Sequence, residues 1–124
     1  MKNKKEKRIA VISMARNDKI FIQKWTNYYG NEFGFENLYL ILDGHDQNIP
    51  ANSEKINIIK VPHKELNRLN GDRNRSQIVS KIAQGLFLRY DRVLAMDIDE
   101  FLVIDPKLNI SLKEYLNGKQ SFCP

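Results

Sequence analysis

Val93-Leu94-Ala95-Met96-Asp97-Ile98-Asp99-Glu100-Phe101-Leu102 is the stretch on which the reading of this chain turns. A short apolar run, 93–96, stops at two aspartates one residue apart. Such a run reads as a strand buried on both faces, with charge only at its end. Alternation along the strand points Asp97 and Asp99 to the same side. Neighbouring carboxylates repel, and burying both without a partner is costly. A divalent cation relieves that repulsion. Mg²⁺ takes one or two carboxylates and completes its shell with water and substrate phosphate. The stretch therefore reads as a strand end presenting a metal–phosphate site. The plainer alternative is a strand that stops at an acidic turn.

Working outward, residues 9–14 form a first strand rich in β-branched side chains. Arg16-Asn17-Asp18 closes it, and Asn17 or Asp18 caps the next helix. That helix spans 19–32, with Phe21, Trp25, Tyr28 or Tyr29, and Phe33 on its apolar face and Gly30 or Gly34 at its end. Residues 37–42 make the second strand, ended by Asp43-Gly44. A polar loop containing Pro50 follows, and the third strand, 56–61, stops at Pro62. Asn70-Gly71-Asp72 reads as a turn inside the polar stretch 63–74. A second helix spans 73–90 on the stripe Ile78, Val79, Ile82, Ala83, Leu86 and Phe87. After the strand at 93–96, Ser111 and Glu114 form a capping box for a short helix over 112–116, which Gly118 ends.

The order β-α-β-β-α-β predicts an α/β fold, a mostly parallel sheet with flanking helices. Ligands of such sheets gather at the carboxyl ends of the strands. Arg16, Asp43, Asp97 and Asp99 all fall there. Arg73 and Arg75 stand at the start of the second helix, where the N-terminus favours phosphate and an arginine fork adds bidentate contacts.

Composition bounds the partners. The chain has 124 residues, 42% hydrophobic and 28% charged, as a single globular domain does and a disordered chain does not. The net charge of +5 is unevenly spread. Residues 1–8 hold five basic groups and one acid, while 9–124 hold 15 basic and 14 acidic groups, a net of +1. A body this close to neutral argues against nucleic acid as a partner. The tail, 1–8, reads as solvated and disordered. Its sharper reading is peripheral membrane contact, at about 1 kcal/mol per basic residue near anionic headgroups. No apolar run approaches the ~20 residues of a membrane span, and no signal-peptide core follows the basic start. The lone Cys123 fits a reducing, cytoplasmic setting, at the inner face of the membrane if the tail binds lipid.

Several motifs, in order and with matching gaps, carry a resemblance. They are Met14-Ala15-Arg16-Asn17-Asp18 leading into a helix with Trp25 and Tyr28-Tyr29; Gly34-Phe35 ahead of Leu38-Tyr39-Leu40-Ile41-Leu42-Asp43; Asn70-Gly71 ahead of Arg73-Asn74-Arg75; and Met96-Asp97-Ile98-Asp99-Glu100-Phe101-Leu102. Across residues 9–116 the chain resembles the N-terminal, nucleotide-binding half of GT-A glycosyltransferases of the family 2-like kind. The branch is the one whose metal motif reads DxDEF, related to the family 92 type. The resemblance implies a Rossmann-like GT-A half. It implies Asp97 as the first aspartate of the motif, near the ribose and the metal. Asp99 is the second, holding Mn²⁺ or Mg²⁺ against the diphosphate of a nucleotide sugar, a UDP-sugar in the first place. It also implies Arg75 near the nucleotide, Asp43 at the base, and Ala15 and Arg16 lining the base pocket. Gly44 stands where many relatives carry another acid. Phe101 matches as packing, and Glu100 either as a partner of the motif or as a solvated acid.

In such enzymes the catalytic base, a further metal ligand and the site for a saccharide or lipid-linked acceptor follow the DxD strand. After Leu102 come 22 residues with two acids, Asp105 and Glu114, and no histidine. Asp105 precedes Pro106 and Glu114 belongs to the capping box, so neither serves well as a base. Residues 9–124 are therefore expected to be a donor-binding half without its acceptor half, with the catalytic base beyond the chain end. An exposed sheet edge is expected near 93–96. Two other classes stay in view. One is a non-catalytic nucleotide- or metal-binding module. The other is a receiver-like phosphoryl-transfer domain, which needs acids at the first strand where Arg16 stands here. His45 and His63 read as loop histidines, since their spacing does not match a metal pair.

Overall fold

The apolar run after Arg8 builds the centre of the molecule. In the computed structural model, which describes residues 6–51 and 53–118, strand β1 (Ile9–Ala15) is buried along its whole length. It pairs in parallel with β2 (Leu38–Asp43) on one side and β4 (Arg92–Ala95) on the other, and β3 (Asn57–Val61) adds outside β2. The sheet order is β3-β2-β1-β4, and every pairing is parallel. Helices α1 (Lys19–Phe33), α2 (Arg68–Leu86) and α3 (Leu112–Leu116) complete an α/β fold, as expected from the element order.

Strand alternation divides the core into two layers. Val11 and Ala15, with Leu38, Leu40 and Leu42, meet Ile22, Trp25, Tyr29 and Phe33 of α1 and Leu112 of α3. Ile12 and Met14, with Ile41, meet Ala83 of α2 and its partly buried neighbours Ile78, Val79, Ile82 and Leu86. Each large apolar side chain so buried contributes about 1.5–3 kcal/mol relative to exposure. On α1 the buried stripe is Ile22, Trp25, Tyr29 and Phe33, and Phe21 and Tyr28 sit at its margin, each 37% exposed. Phe87, assigned to the apolar stripe of the second helix, is 54% exposed and lies past the end of α2.

Three local expectations are corrected. Asp18 occupies the N-cap of α1, but its side chain makes no cap bond. The chain turns instead at Asn17, in the left-handed region (φ 57°), where its N–H donates to Gln47 Oε1 at 2.7 Å. Second, α2 begins at Arg68 rather than at 73, because Asn67 Oδ1 accepts the Asn70 N–H at 2.8 Å. Asn70-Gly71-Asp72 is therefore helix, since a good cap outweighs the low helix propensity of one glycine. Third, β4 is half-buried rather than enclosed. It has one strand neighbour among the described residues, β1, and Ala95 is exposed.

Other local expectations hold. Gly34, at φ 99°, closes α1. The capping box of α3 forms, with Ser111 Oγ accepting the Glu114 N–H and Glu114 Oε1 accepting the Ser111 N–H. Residues 6–8, read from sequence as part of the tail, are tied down. Glu6 lies 3.4 Å from Lys113, Lys7 N–H donates to Asn117 Oδ1, and Arg8 N–H donates to Asp91 Oδ2. Residues 1–5 of the tail and Cys123 lie outside the described residues. Among the described residues no helix is long and apolar enough to cross a membrane.

Candidate ligand site at the carboxyl edge of the sheet

Because all four strands run the same way, the segments that follow them leave at one edge. Arg16 follows β1. Its guanidinium donates to the Asp43 carbonyl at 2.6 Å and forks onto Asp46 at 3.0 and 3.1 Å. The bond from Arg16 holds the Asp46 carboxyl below its ordinary range, and the same bond raises the Arg16 guanidinium further. Gln47, almost fully buried, bonds Asn17 in both directions and fixes the loop behind the pair. Asp43 ends β2, and its Oδ1 lies 3.1 Å from His63 Nδ1. His63 Nε2 in turn lies 3.5 Å from Glu65. His63 is in a loop as expected, but one that opens on the site. The available signal was its place directly after the third strand, at the edge where ligands gather.

Two clefts meet at this edge. The smaller, about 250 Å³, is walled by Arg16, Asp43, His63, Arg68 and Arg75 among others. The larger, about 690 Å³, lies between α2 and β4 and reaches Asp97. Met14, Asp72 and Arg75 belong to both walls. Four of the expected residues thus line these adjacent clefts: Arg16 and Asp43 the smaller, Asp97 the larger, and Arg75 both. Ala15 does not, because its side chain is buried in the α1 layer; only its backbone can face a ligand. Arg75 stands in the second turn of α2 rather than at its start, and it pairs with Asp72 at 3.6 Å. The expected arginine fork at a helix N-terminus is therefore not formed by Arg73 and Arg75.

The two aspartates lie beyond the strand. β4 ends at Ala95, and residues 97–100 form a turn closed by Glu100 N–H donating to the Asp97 carbonyl at 3.0 Å. Glu100 Oε1 accepts the Asp97 N–H at 2.9 Å while Glu100 is exposed, so the acid is both a partner of the motif and solvated. Ile98 is buried while Asp97 and Asp99 are exposed, which keeps both carboxylates on the solvent side of the turn. Asp99 is not part of either cleft wall. Phe101 packs against the rings of Tyr28 and Tyr29, as expected of it. Both tyrosines also bond the segment through their hydroxyls, a role the helical periodicity had hidden by marking the ring of Tyr29 as core.

Two exposed carboxylates on one turn, beside clefts walled by Arg16, Arg68 and Arg75, suit a hydrated divalent ion whose shell is completed by phosphate. Among the described residues no three acids, histidines or cysteines form a metal-binding group. Comparison with family models, with curated proteins and with solved structures gives no match.

Proposed function

We propose that the carboxyl edge of the sheet is the donor site of a metal-dependent glycosyltransferase. It would bind the nucleotide of a sugar donor, a UDP-sugar in the first place, for transfer to a saccharide or lipid-linked hydroxyl. The observation that carries this reading is the gathering of Arg16, Asp43, Arg75 and Asp97 on two adjacent clefts, with Arg75 on the wall of both, at the switch edge of a parallel sheet. In the proposal Asp43 accepts an N–H of the base and Arg75 faces the phosphates. Asp97 and Asp99 hold Mn²⁺ or Mg²⁺ against the diphosphate. When bound, that cation would stabilise the negative charge that grows on the departing diphosphate. The guanidinium of Arg75 adds to the same field. The setting is cytoplasmic, with the basic N-terminus drawn to the inner face of a membrane.

A second reading, a nucleotide-binding module without turnover, is favoured by one observation. Both acids after the motif within the described residues are already engaged. Asp105 Oδ1 accepts the Lys107 N–H at 3.0 Å, and Glu114 closes its capping box. Neither stands ready to deprotonate an acceptor hydroxyl.

Calorimetric titration of UDP into the chain, with Mn²⁺ and then with EDTA, tests the proposal. Binding is expected to need the metal and to fall at least tenfold in Asp97→Asn and Asp99→Asn (about 1.4 kcal/mol or more). A folded chain that binds UDP equally well in EDTA would overturn it. Release of free sugar from a UDP-sugar separates the two readings, since a module without turnover releases none.

A further inference from the structure

We propose that the Tyr29 hydroxyl is the positioning group of the acidic turn, so that helix α1, rather than the sheet, decides where Asp97 and Asp99 stand. Its consequence for ligand binding rests on the donor-site reading above; its structural content stands without it.

The sheet releases the chain early. Past Ala95 the remaining ties to β1 are a long bond from Met96 N–H to the Ile12 carbonyl, 3.4 Å, and one from Ser13 Oγ to the Met96 carbonyl, 2.8 Å. The turn at 97–100 is then closed on itself by the paired Asp97 and Glu100 bonds. Those bonds shape the turn but do not orient it against the rest of the fold. Tyr29 does so from both flanks. Its hydroxyl accepts the Leu102 N–H at 2.9 Å and donates toward the Glu100 carbonyl at 3.1 Å, with Met96 Sδ also at 3.1 Å. One hydroxyl thus spans the residue before the turn, its last residue and the chain just after it, which uses the full donor and acceptor capacity of a phenol. The Phe101 ring lies parallel to the Tyr29 ring at 5.9 Å and seals the junction.

Burial makes the junction specific. Tyr29 is fully buried, so no bulk water replaces its hydroxyl, and its loss leaves the Leu102 N–H and the Glu100 carbonyl without that partner. Tyr28 reaches the same segment, donating to the Leu102 carbonyl, but it is 37% exposed and water can take over its bond. A ring needed for packing alone would be served equally well by phenylalanine. The hydroxyl is what the turn uses.

Amide hydrogen exchange and UDP titration on Tyr29→Phe, with Tyr28→Phe alongside, test this. Exchange at 97–102 is expected to quicken about tenfold in Tyr29→Phe while the amides of β1 and β2 keep the wild-type rate. The metal-dependent part of UDP affinity is expected to fall about tenfold, with binding in EDTA unchanged. Tyr28→Phe is expected to change either by less than about threefold. Unchanged exchange at 97–102 in a folded Tyr29→Phe would overturn the proposal. So would exchange quickened equally through β1 and β2, which would make Tyr29 a core residue only. Should the wild type bind no UDP with Mn²⁺, the donor-site reading falls, and the exchange pattern alone decides the positioning role. Should Tyr29→Phe not fold, Leu102→Pro deletes the same bond from the turn side. Selective loosening of 97–101 is then expected, and its absence counts against Tyr29.

Discussion

Position 44 combines a backbone demand with a steric one. Gly44 has φ 130°, and a Cβ there would collide with Asp46 Oδ1 and Arg16 Nη1. The backbone at φ 130° is one that residues with a Cβ rarely adopt, and an added Cβ would also push the tips of the Arg16–Asp46 fork aside. Gly44→Ala is expected to destabilise the fold by about 1–3 kcal/mol, read from urea unfolding, and to weaken UDP binding by displacing Arg16. The pH dependence is also a residue property. Burial holds the phenols of Tyr28, Tyr29 and Tyr90 above their ordinary value of 10.0, and for Tyr90 the bond to Tyr39 adds to it. A raised folded pKa contributes stability that is complete below the unfolded value and lost as pH rises toward the folded one. The urea midpoint is therefore expected to decline above about pH 10, and Tyr90→Phe to decline less steeply.

At the scale of elements, α2 carries the clearest lesson. Its apolar stripe was legible, but its first turn was not, because Asn70-Gly71-Asp72 has the composition of a turn. What decides the matter is the Asn67 cap, one side-chain bond that recruits five further residues, 68–72, into the helix. Asn67→Ala is expected to cost about 1 kcal/mol. Gly71→Ala is expected to stabilise the chain by about 0.5–1 kcal/mol, since the added methyl meets nothing within 4 Å and helix is where alanine gains over glycine. Thermal unfolding of both variants checks the assignment. If residues 70–72 were a turn needing glycine, Gly71→Ala would destabilise instead. The capping box of α3, by contrast, was readable outright, because both of its bonds are local and both partners lie within four residues.

For the molecule as a whole, β3 and β4 are the two edges of the sheet among the described residues, and β4 is the one beside the acidic turn. Arg92 and Met96 turn their N–H groups to β1, so the N–H groups of Val93 and Ala95 point away from it. Exposed apolar side chains flank the strand: Phe87 and Leu88 precede it, and Leu102 and Val103 follow. An edge of this kind templates pairing with another chain. The isolated chain is expected to self-associate with rising concentration in sedimentation. Ala95→Pro, which deletes an outward N–H and spares the ladder to β1, is expected to reduce that association without loss of secondary structure. Equal association in the variant would place the contact elsewhere.

The order and type of the elements and the parallel sheet were legible in the residues alone. The sequence also placed Arg16, Asp43, Asp97 and Asp99 after their strands, because periodicity and strand-end polarity are local signals. How these residues are held follows from long-range contacts. The fold put Arg16 on Asp46, His63 on Asp43 and Tyr29 on the acidic turn, and it moved Arg75 off the helix start. These partners are 20 to 73 residues apart in the chain, and periodicity marks which face of an element is apolar, not which distant side chain meets it.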